Sequence, residues 1–155
     1  MTPPIFRKCP TCGERQLGIV NKSHTTSVYH DGSEYVVSIP DLDLFWCSNC
    51  GHQIVPMDSE ERLMTALRQA AVLLTPEEIR DNRVRLGSSQ KKLASELGVT
   101  EDMLSRWEAG LLIQTRALDN LLRAFFSLPS LRSYLSKSEK PILPAVDSTP
   151  VPVLS

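Results

Sequence analysis

The segments CPTCG (residues 9–13) and CSNCG (residues 47–51) contain all four cysteines of this 155-residue chain. Each Cys-x-x-Cys-Gly segment can fold as a tight turn that directs both sulfur atoms to one point, because its glycine permits backbone geometry that a side chain would obstruct. Two such turns supply the four ligands of a tetrahedral thiolate site, which most often holds zinc. The sequence therefore predicts one structural zinc ion, with the ligands Cys9, Cys12, Cys47 and Cys50.

Disulfide bonds, a redox dithiol and iron are the alternatives to zinc. The first seven residues contain no apolar run of the length that an export signal needs, so a reducing compartment is expected, which disfavours disulfides. A redox Cys-x-x-Cys normally opens a helix beside a βαβ pattern, and the sequence shows no such pattern. A thiolate tetrahedron suits iron as well as zinc, so iron stays open. Four thiols complete the coordination shell, and we expect the three histidines, His24, His30 and His52, to lie at the surface.

Composition limits the function classes. The apolar content of 41% and the charged content of 23% are typical of a soluble protein. No stretch approaches the roughly 18 apolar residues of a membrane span, so the sequence predicts a cytoplasmic protein with no membrane partner. The net charge of −1 means that a DNA-binding face requires local sorting of charge. The Ser, His and Asp residues show no catalytic spacing, and no enzyme is predicted.

Strand-like alternation fills most of the segment between the two cysteine pairs. Residues 25–30 and 34–39 flank Asp31-Gly32, a dipeptide that favours a type I′ hairpin turn. Pro40 is predicted to end the second of these strands. Shorter strands are predicted at residues 16–20, 44–46 and 52–55. Residues 1–57 are therefore predicted to form a small β-rich domain, which zinc stabilises by linkage to folding.

A helical pattern replaces the alternation after residue 57. Residues 60–74 contain no Gly or Pro and carry Leu and Ala at helical spacing, so residues 58–74 are predicted to be a linking helix. Thr75-Pro76-Glu77-Glu78 is then typical of a helix start, with Thr75 as N-cap and Glu78 closing a capping box. This next helix is predicted to stop at Gly87.

Residues 89–109 predict a helix-turn-helix. Ser89 opens a short helix, Gly98 lies in the turn, Thr100 caps the second helix and Gly110 ends it. The N-terminal end of the second helix enters the major groove in this motif. Further helices are predicted at residues 115–126 and 130–135.

The predicted fold class is α+β, with a β-rich zinc-binding domain at residues 1–57 and a linking helix at residues 58–74. Residues 75–136 are predicted to form an all-α, lambda-repressor-like helix-turn-helix domain. Residues 137–155 contain four prolines and little apolar surface to bury, and they are predicted to be disordered.

Eight residues of the helix-turn-helix are predicted to contact DNA. Arg106 is expected to read a guanine, and the alternative is a solvated arginine paired with Glu101, Asp102 or Glu108. Gln90 can contact phosphate from the start of the first helix, or it is a residue that merely suits a helix start. Glu101 and Asp102 also have the alternative role of stabilising the helix N-terminus through its dipole. The complete set is Gln90, Lys91, Lys92, Thr100, Glu101, Asp102, Ser105 and Arg106.

Neighbouring side chains carry further expectations. Arg83 and Arg85 are interpreted with Lys91 and Lys92 as phosphate contacts, although a solvated helix face explains each one equally well. Trp107 is interpreted as a core residue and not as a stacking platform. Phe125 and Phe126 are not both expected to fit one small core, so one of them is assigned to a dimer surface.

These residues resemble a known family. KCPTCG (residues 8–13), a β-rich segment, FWCSNCG (residues 45–51) and a helical DNA-binding domain together resemble the MqsA-like antitoxins with a YgiT-type zinc finger. Residues 89–110 are also similar to the wider Xre or Cro-type repressor domains. The two similarities together cover residues 8 to about 135.

The resemblance implies a type II antitoxin that represses its own operon and dimerises through its C-terminal domain. In that family the zinc is structural, and the N-terminal zinc domain clasps a toxin, commonly an mRNA interferase. The family's base-reading asparagine and arginine fall at Asp102 and Arg106, so the arginine matches and the asparagine does not. Aspartate can only accept hydrogen bonds, for instance from cytosine N4, whereas asparagine can bond adenine bidentately. We therefore expect a different operator or weak DNA binding.

Two other functions stay open at the level of sequence. One is a zinc-containing transcriptional regulator that has no toxin. The other is a rubredoxin-like metal domain fused to a helical adaptor that binds protein and not DNA.

Overall fold

The computed structural model describes residues 6–137. The fold is α+β: an antiparallel sheet in the order β1-β2-β3 is followed by six helices. The strands are β1 (Leu17–His30), β2 (Ser33–Cys47) and β3 (Gln53–Ile54). The helices are α1 (Glu60–Ala70), α2 (Pro76–Arg85), α3 (Gln90–Leu97), α4 (Glu101–Glu108), α5 (Arg116–Ser127) and α6 (Pro129–Leu135). The tail predicted to be disordered lies, from residue 138 onward, outside the described residues.

Strands β1 and β2 form one long hairpin. Asp31 and Gly32 connect them with φ of 51° and 76°, which is the conformation of the type I′ turn that the sequence predicts. The prediction that Pro40 ends a strand is wrong. Pro40 and Asp41 lie opposite a single residue, Ser23, at a register shift in the pairing. Such a bulge leaves a residue out of the ladder, so a proline that lacks an N–H donor is accommodated and the strand continues.

Helix α1 is shorter than the predicted linking helix, because the chain turns at Val72. The φ of Val72 is 53°, and the amides of Val72 and Leu73 donate to the carbonyls of Gln69 and Arg68. These two bonds are the C-terminal Schellman pattern, which usually has glycine at the left-handed position. A β-branched residue there is rare, and the sequence consequently gave no signal for this helix end.

The five helices α2–α6 enclose one apolar core. Its fully buried side chains include Ile79, Leu104 and Trp107, so the interpretation of Trp107 as a core residue is confirmed. Phe125 and Phe126 are both buried in this core, 2% and 7% exposed, with edge-to-face rings 6.1 Å apart. The expectation that one of them serves a dimer surface is therefore wrong, because the perpendicular arrangement lets both rings fit.

A buried polar cluster fixes the connection between α1 and α2. The Asp119 carboxylate, fully buried, accepts from the Leu74 amide at 2.7 Å and from the Gln114 side chain at 3.1 Å. The Gln114 amide also donates to the Leu74 carbonyl at 2.9 Å. Arg123 completes the charge balance with its Nε 2.7 Å from Asp119. Both backbone groups of Leu74 are thereby satisfied inside the helical half.

Within residues 6–137, no helix combines the length and apolar character needed to cross a membrane.

Candidate metal centre and nucleic-acid interface

The two Cys-x-x-Cys turns converge at the open end of the hairpin. The sulfur atoms of Cys9, Cys12, Cys47 and Cys50 all lie within 4.8 Å of one another. Sγ of Cys9 is 3.7 Å from that of Cys50, and Sγ of Cys12 is 3.6 Å from that of Cys47. A tetrahedral zinc ion with Zn–S bonds of about 2.3 Å separates its sulfurs by about 3.8 Å. The four side chains therefore fit one zinc ion.

Both turns use the same backbone hydrogen bonds. The Gly13 amide donates to the Cys9 carbonyl at 3.0 Å, and the Gly51 amide donates to the Cys47 carbonyl at 2.8 Å. The two glycines have φ of 78° and 74°, a region that side chains disfavour. Strand pairing of Leu17 with Cys47 brings the second turn beside the first.

The surroundings of the thiols shift the pKa values of Cys12 and Cys50 in opposite directions. The side chain of Asn49, followed by the backbone at Glu14, lowers the pKa of Cys12 to about 6. A backbone hydrogen bond at His52 favours the Cys50 thiolate, but burial and the three neighbouring sulfurs outweigh it and raise the pKa of Cys50 to about 12. Four thiolates cannot all be charged at this separation without a positive ion between them.

The histidines do not belong to the sulfur cluster. Among the described residues, the group that can hold a metal consists of the four cysteines alone. Both His24 and His52 are partly exposed. His30 has a different role, since its Nε2 lies 3.0 Å from the Gln114 carbonyl oxygen in the helical half.

The caps and packing of helices α3 and α4 are compatible with a helix-turn-helix. Ser89 caps α3 by accepting from the Lys92 amide at 3.1 Å, and Thr100 caps α4 by accepting from the Met103 amide at 3.2 Å. Gly98 ends α3 with φ of 76°. The helices pack through Leu93, Leu97 and Leu104, all of which are buried in the core. This geometry is compatible with DNA recognition by α4.

The predicted DNA-contacting residues lie mainly on the solvent side of these helices. Asp102 and Arg106 form an ion pair at 2.9 Å, with 72% and 58% of their side chains exposed. Gln90 is partly buried. The other residues of the predicted set are exposed: Lys91, Lys92, Thr100, Glu101 and Ser105.

Gln90 and Arg83 both contact Glu108, and the sequence does not predict these contacts. Arg83 Nε donates to the Glu108 carboxylate at 2.6 Å, and Gln90 Nε2 donates to it at 2.8 Å. The Arg83 side chain is 14% exposed and that of Glu108 is 2% exposed. Arg83 is therefore the partner of Glu108 in a largely buried ion pair. Its interpretation as an exposed phosphate contact does not agree with the structure. The residues are 25 positions apart, and no local pattern links them.

Burial alone would raise the pKa of Glu108. The hydrogen bonds from Arg83 and Gln90, together with the charges of Arg83 and Arg80, outweigh burial, so the pKa of Glu108 is below its ordinary value. The same pair raises the pKa of Arg83. Glu108 therefore stays ionised and holds α2, α3 and α4 together.

The family comparison covers both halves of the molecule. The model of the MqsA family, described as the antitoxin component of bacterial toxin–antitoxin systems, matches residues 7–135. This span includes the four cysteines and all six helices. No curated protein matches the chain at a significant level.

Proposed function

This chain belongs to the MqsA family of bacterial antitoxins, and we propose that it represses its own operon by binding DNA and neutralises a partner toxin. The observation that carries the proposal is that the family match spans the four-cysteine sheet and the helix pair α3–α4 together. The role of the metal ion is structural, because four cysteine ligands leave no open coordination position for a substrate.

The proposed DNA contact is made by the exposed face of α4. Arg106, in the last turn of the helix, is the base-reading residue, and Thr100, Glu101, Asp102 and Ser105 are exposed and precede it in the chain. An arginine can donate two hydrogen bonds to O6 and N7 of guanine. To make these bonds, Arg106 must first break its ion pair with Asp102.

Phosphate contacts are assigned to the start of α3. Lys91 and Lys92 are exposed there, and the amide nitrogen of Gln90 has a second N–H beyond the one that bonds Glu108. The contact from Gln90 to Glu108 fixes the side chain, so it reaches phosphate at little entropic cost. We propose that a homodimer, formed by the helical half, places two copies of α4 on half-sites about one DNA turn apart.

Toxin binding is assigned to the sheet half, residues 1–57, and it rests on membership in the family. The sheet exposes large apolar side chains: Ile19 is 69%, Tyr29 is 76% and Val36 is 68% exposed. Exposed apolar side chains of this size support a protein contact.

Binding to the DNA upstream of its own gene tests the repressor proposal. Fluorescence anisotropy of the full-length protein should show tighter binding to this duplex than to a scrambled one. Arg106→Ala should weaken the specific complex by about 1–3 kcal/mol, whereas Arg15→Ala, an exposed arginine of the sheet half, should have no effect. Equal affinity of the native protein for both duplexes would contradict sequence-specific repression.

Expression of the neighbouring reading frame tests the antitoxin proposal. A small adjacent frame should arrest growth when expressed alone and should be harmless when this chain is co-expressed. The two products should co-purify. If the product of each neighbouring frame is harmless when expressed alone, the result would instead support a transcriptional regulator that has no partner toxin.

A further inference from the structure

We propose that Asp31 and Arg68 are positioning residues, through which the metal-binding half holds the loop and helix that follow α4, so that metal binding and DNA binding strengthen each other. The inference rests on the proposed function in one respect, namely that α4 reads DNA. The contacts themselves are observed.

Asp31, at the tip of the hairpin, caps a helix of the other half. Its Oδ2 accepts from the Arg116 amide at 2.7 Å, and Arg116 is the first residue of α5. This amide has no partner within its helix, and the positive end of the helix dipole favours a carboxylate. His30 makes a second contact beside it, with its Nε2 3.0 Å from the Gln114 carbonyl oxygen.

Arg68, on α1, holds the loop directly after α4. Its guanidinium donates to the carbonyls of Gly110 at 3.1 Å and Leu112 at 3.2 Å. Arg68 is only 4% exposed, and no carboxylate of the described chain lies within ion-pair distance of it. A buried arginine without a carboxylate is costly, so its placement at these two carbonyls indicates a specific role in fixing the end of α4.

Helix α1 is in turn fixed to the hairpin. Arg62 donates to the carbonyls of Pro40 and Asp41, both at 2.8 Å. These two residues form the bulge, where the strand is released from regular pairing. The sheet half therefore contacts the helical half through the hairpin tip and, by way of α1, through Arg68.

The metal site lies at the opposite end of the same hairpin from Asp31. Cys47 ends β2 and pairs with Leu17, the first residue of β1. Loss of the ion removes the link between the two cysteine turns and leaves a sheet too small to be secure unaided. The docked position of Asp31 is then less populated, and the ends of α4 and α5 lose their restraint.

Linkage makes this coupling reciprocal. If metal raises the affinity for DNA by some factor, DNA raises the affinity for metal by the same factor, which for coupled sites is typically about 5- to 150-fold. We expect at least about a fivefold effect in each direction.

The test measures both affinities on the full-length protein. DNA affinity is measured by anisotropy with zinc bound and after chelation, and zinc affinity is measured with a chromophoric chelator, with and without the operator duplex. Asp31→Gly removes the carboxylate while glycine keeps the left-handed turn. This variant should weaken DNA binding in the zinc-bound state at least about fivefold and abolish the coupling. Asp31→Asn keeps a side-chain oxygen acceptor, so it should retain most of the DNA affinity and most of the coupling between metal and DNA binding.

A matched control and a second measurement distinguish the positioning role of Asp31 from general destabilisation of the protein. Asp43→Ala removes another hairpin carboxylate, which accepts from Asn21 within the sheet, and should leave DNA affinity and coupling unchanged. Hydrogen exchange at the Arg116 amide should be slow in the zinc-bound protein and faster after chelation or in Asp31→Gly. Arg68→Met should likewise weaken DNA binding.

The outcomes are distinguishable. Equal DNA affinity with and without zinc, or an Asp31→Gly variant that retains full coupling, overturns the inference and leaves the proposed function standing. Failure of the zinc-bound native protein to bind any duplex overturns the proposed function, and the coupling to DNA with it.

Discussion

Arg106 and Asp102 lie one helical turn apart on the exposed side of α4, and their ion pair competes directly with the proposed base contact. The sequence identified both residues and named pairing with Asp102 as an alternative role of Arg106, and the structure contains this ion pair. An exposed pair of this kind contributes only about 0.2–1 kcal/mol, so breaking it on DNA costs little. The negative charge of Asp102 near phosphate is the larger obstacle.

Asp102→Asn should therefore strengthen DNA binding. The substitution releases Arg106 and removes a charge that repels phosphate, and we expect a gain of about 1 kcal/mol, roughly fivefold in affinity. Anisotropy on the operator at fixed salt measures the gain, with Asp43→Asn, an exposed carboxylate of the sheet that accepts from Asn21, as a control that should not change. Weaker binding of Asp102→Asn would show that Asp102 itself accepts a hydrogen bond from a base.

Arg83 and Glu108 are a different kind of pair, because the structure buries them. Arg83→Met should lower the free energy of unfolding by about 3–5 kcal/mol at neutral pH, since it leaves the Glu108 carboxylate buried without its main partner. The exposed Arg85→Met should change stability by no more than about 0.5 kcal/mol. Urea denaturation followed by circular dichroism measures both.

The pH dependence of this pair follows from the lowered pKa of Glu108. Its contribution to stability is complete above the pKa of an unfolded glutamate, about 4.3. It is lost as pH falls through the lower pKa of the folded state. The stability difference between the native protein and Arg83→Met should therefore shrink below about pH 4. A difference that stays constant into strong acid would mean that the pair is not ionic.

At the scale of the elements, the sequence predicted most helix starts and several helix ends correctly. Thr75 and Glu78 form the reciprocal capping box expected of them, and glycines with positive φ follow α2, α3 and α4. These are local signals, because a cap or turn depends on a few adjacent residues. The bulge at Pro40 and the turn at Val72 depend on distant partners, and local patterns could not reveal them.

Val72 provides a test of this explanation. Its backbone is strained, with φ of 53°, and its side chain is 70% exposed. Val72→Gly should stabilise the protein by about 1 kcal/mol, because relief of left-handed strain exceeds the entropic cost of glycine. Val84→Gly, in the last turn of α2 and 60% exposed, should instead destabilise it, by up to about 1 kcal/mol. Thermal unfolding of both variants measures the difference. If Val72→Gly destabilises the protein, the backbone of Val72 is not strained.

At the scale of the whole molecule, the α+β fold and the four cysteine ligands were predictable, because paired Cys-x-x-Cys turns are specific. The contacts between the halves were not. Asp31 bonds Arg116 across 85 positions, and Arg68 bonds Leu112 across 44. Neither contact follows from periodicity or spacing, since only folding brings residues so far apart in the chain together.

Metal removal acts at this scale. A strong chelator should unfold the sheet half while α2–α6 retain helical circular dichroism, because the helices have a core of their own. Metal analysis of the purified protein should give one zinc per chain, and Cys9→Ser should abolish stoichiometric binding. A red protein that contains ferric iron, or a sheet that is insensitive to chelation, would contradict a structural zinc site.

The most direct test of DNA reading by α4 is selection of bound duplexes from a random pool by the full-length protein at low ionic strength, repeated with Arg106→Ala. We predict that the native protein enriches a motif of two related half-sites about one DNA turn apart, and that Arg106→Ala loses the preference at one base pair of each half-site. Selection that enriches no motif, or an Arg106→Ala variant that enriches the same motif unchanged, would contradict DNA reading by α4.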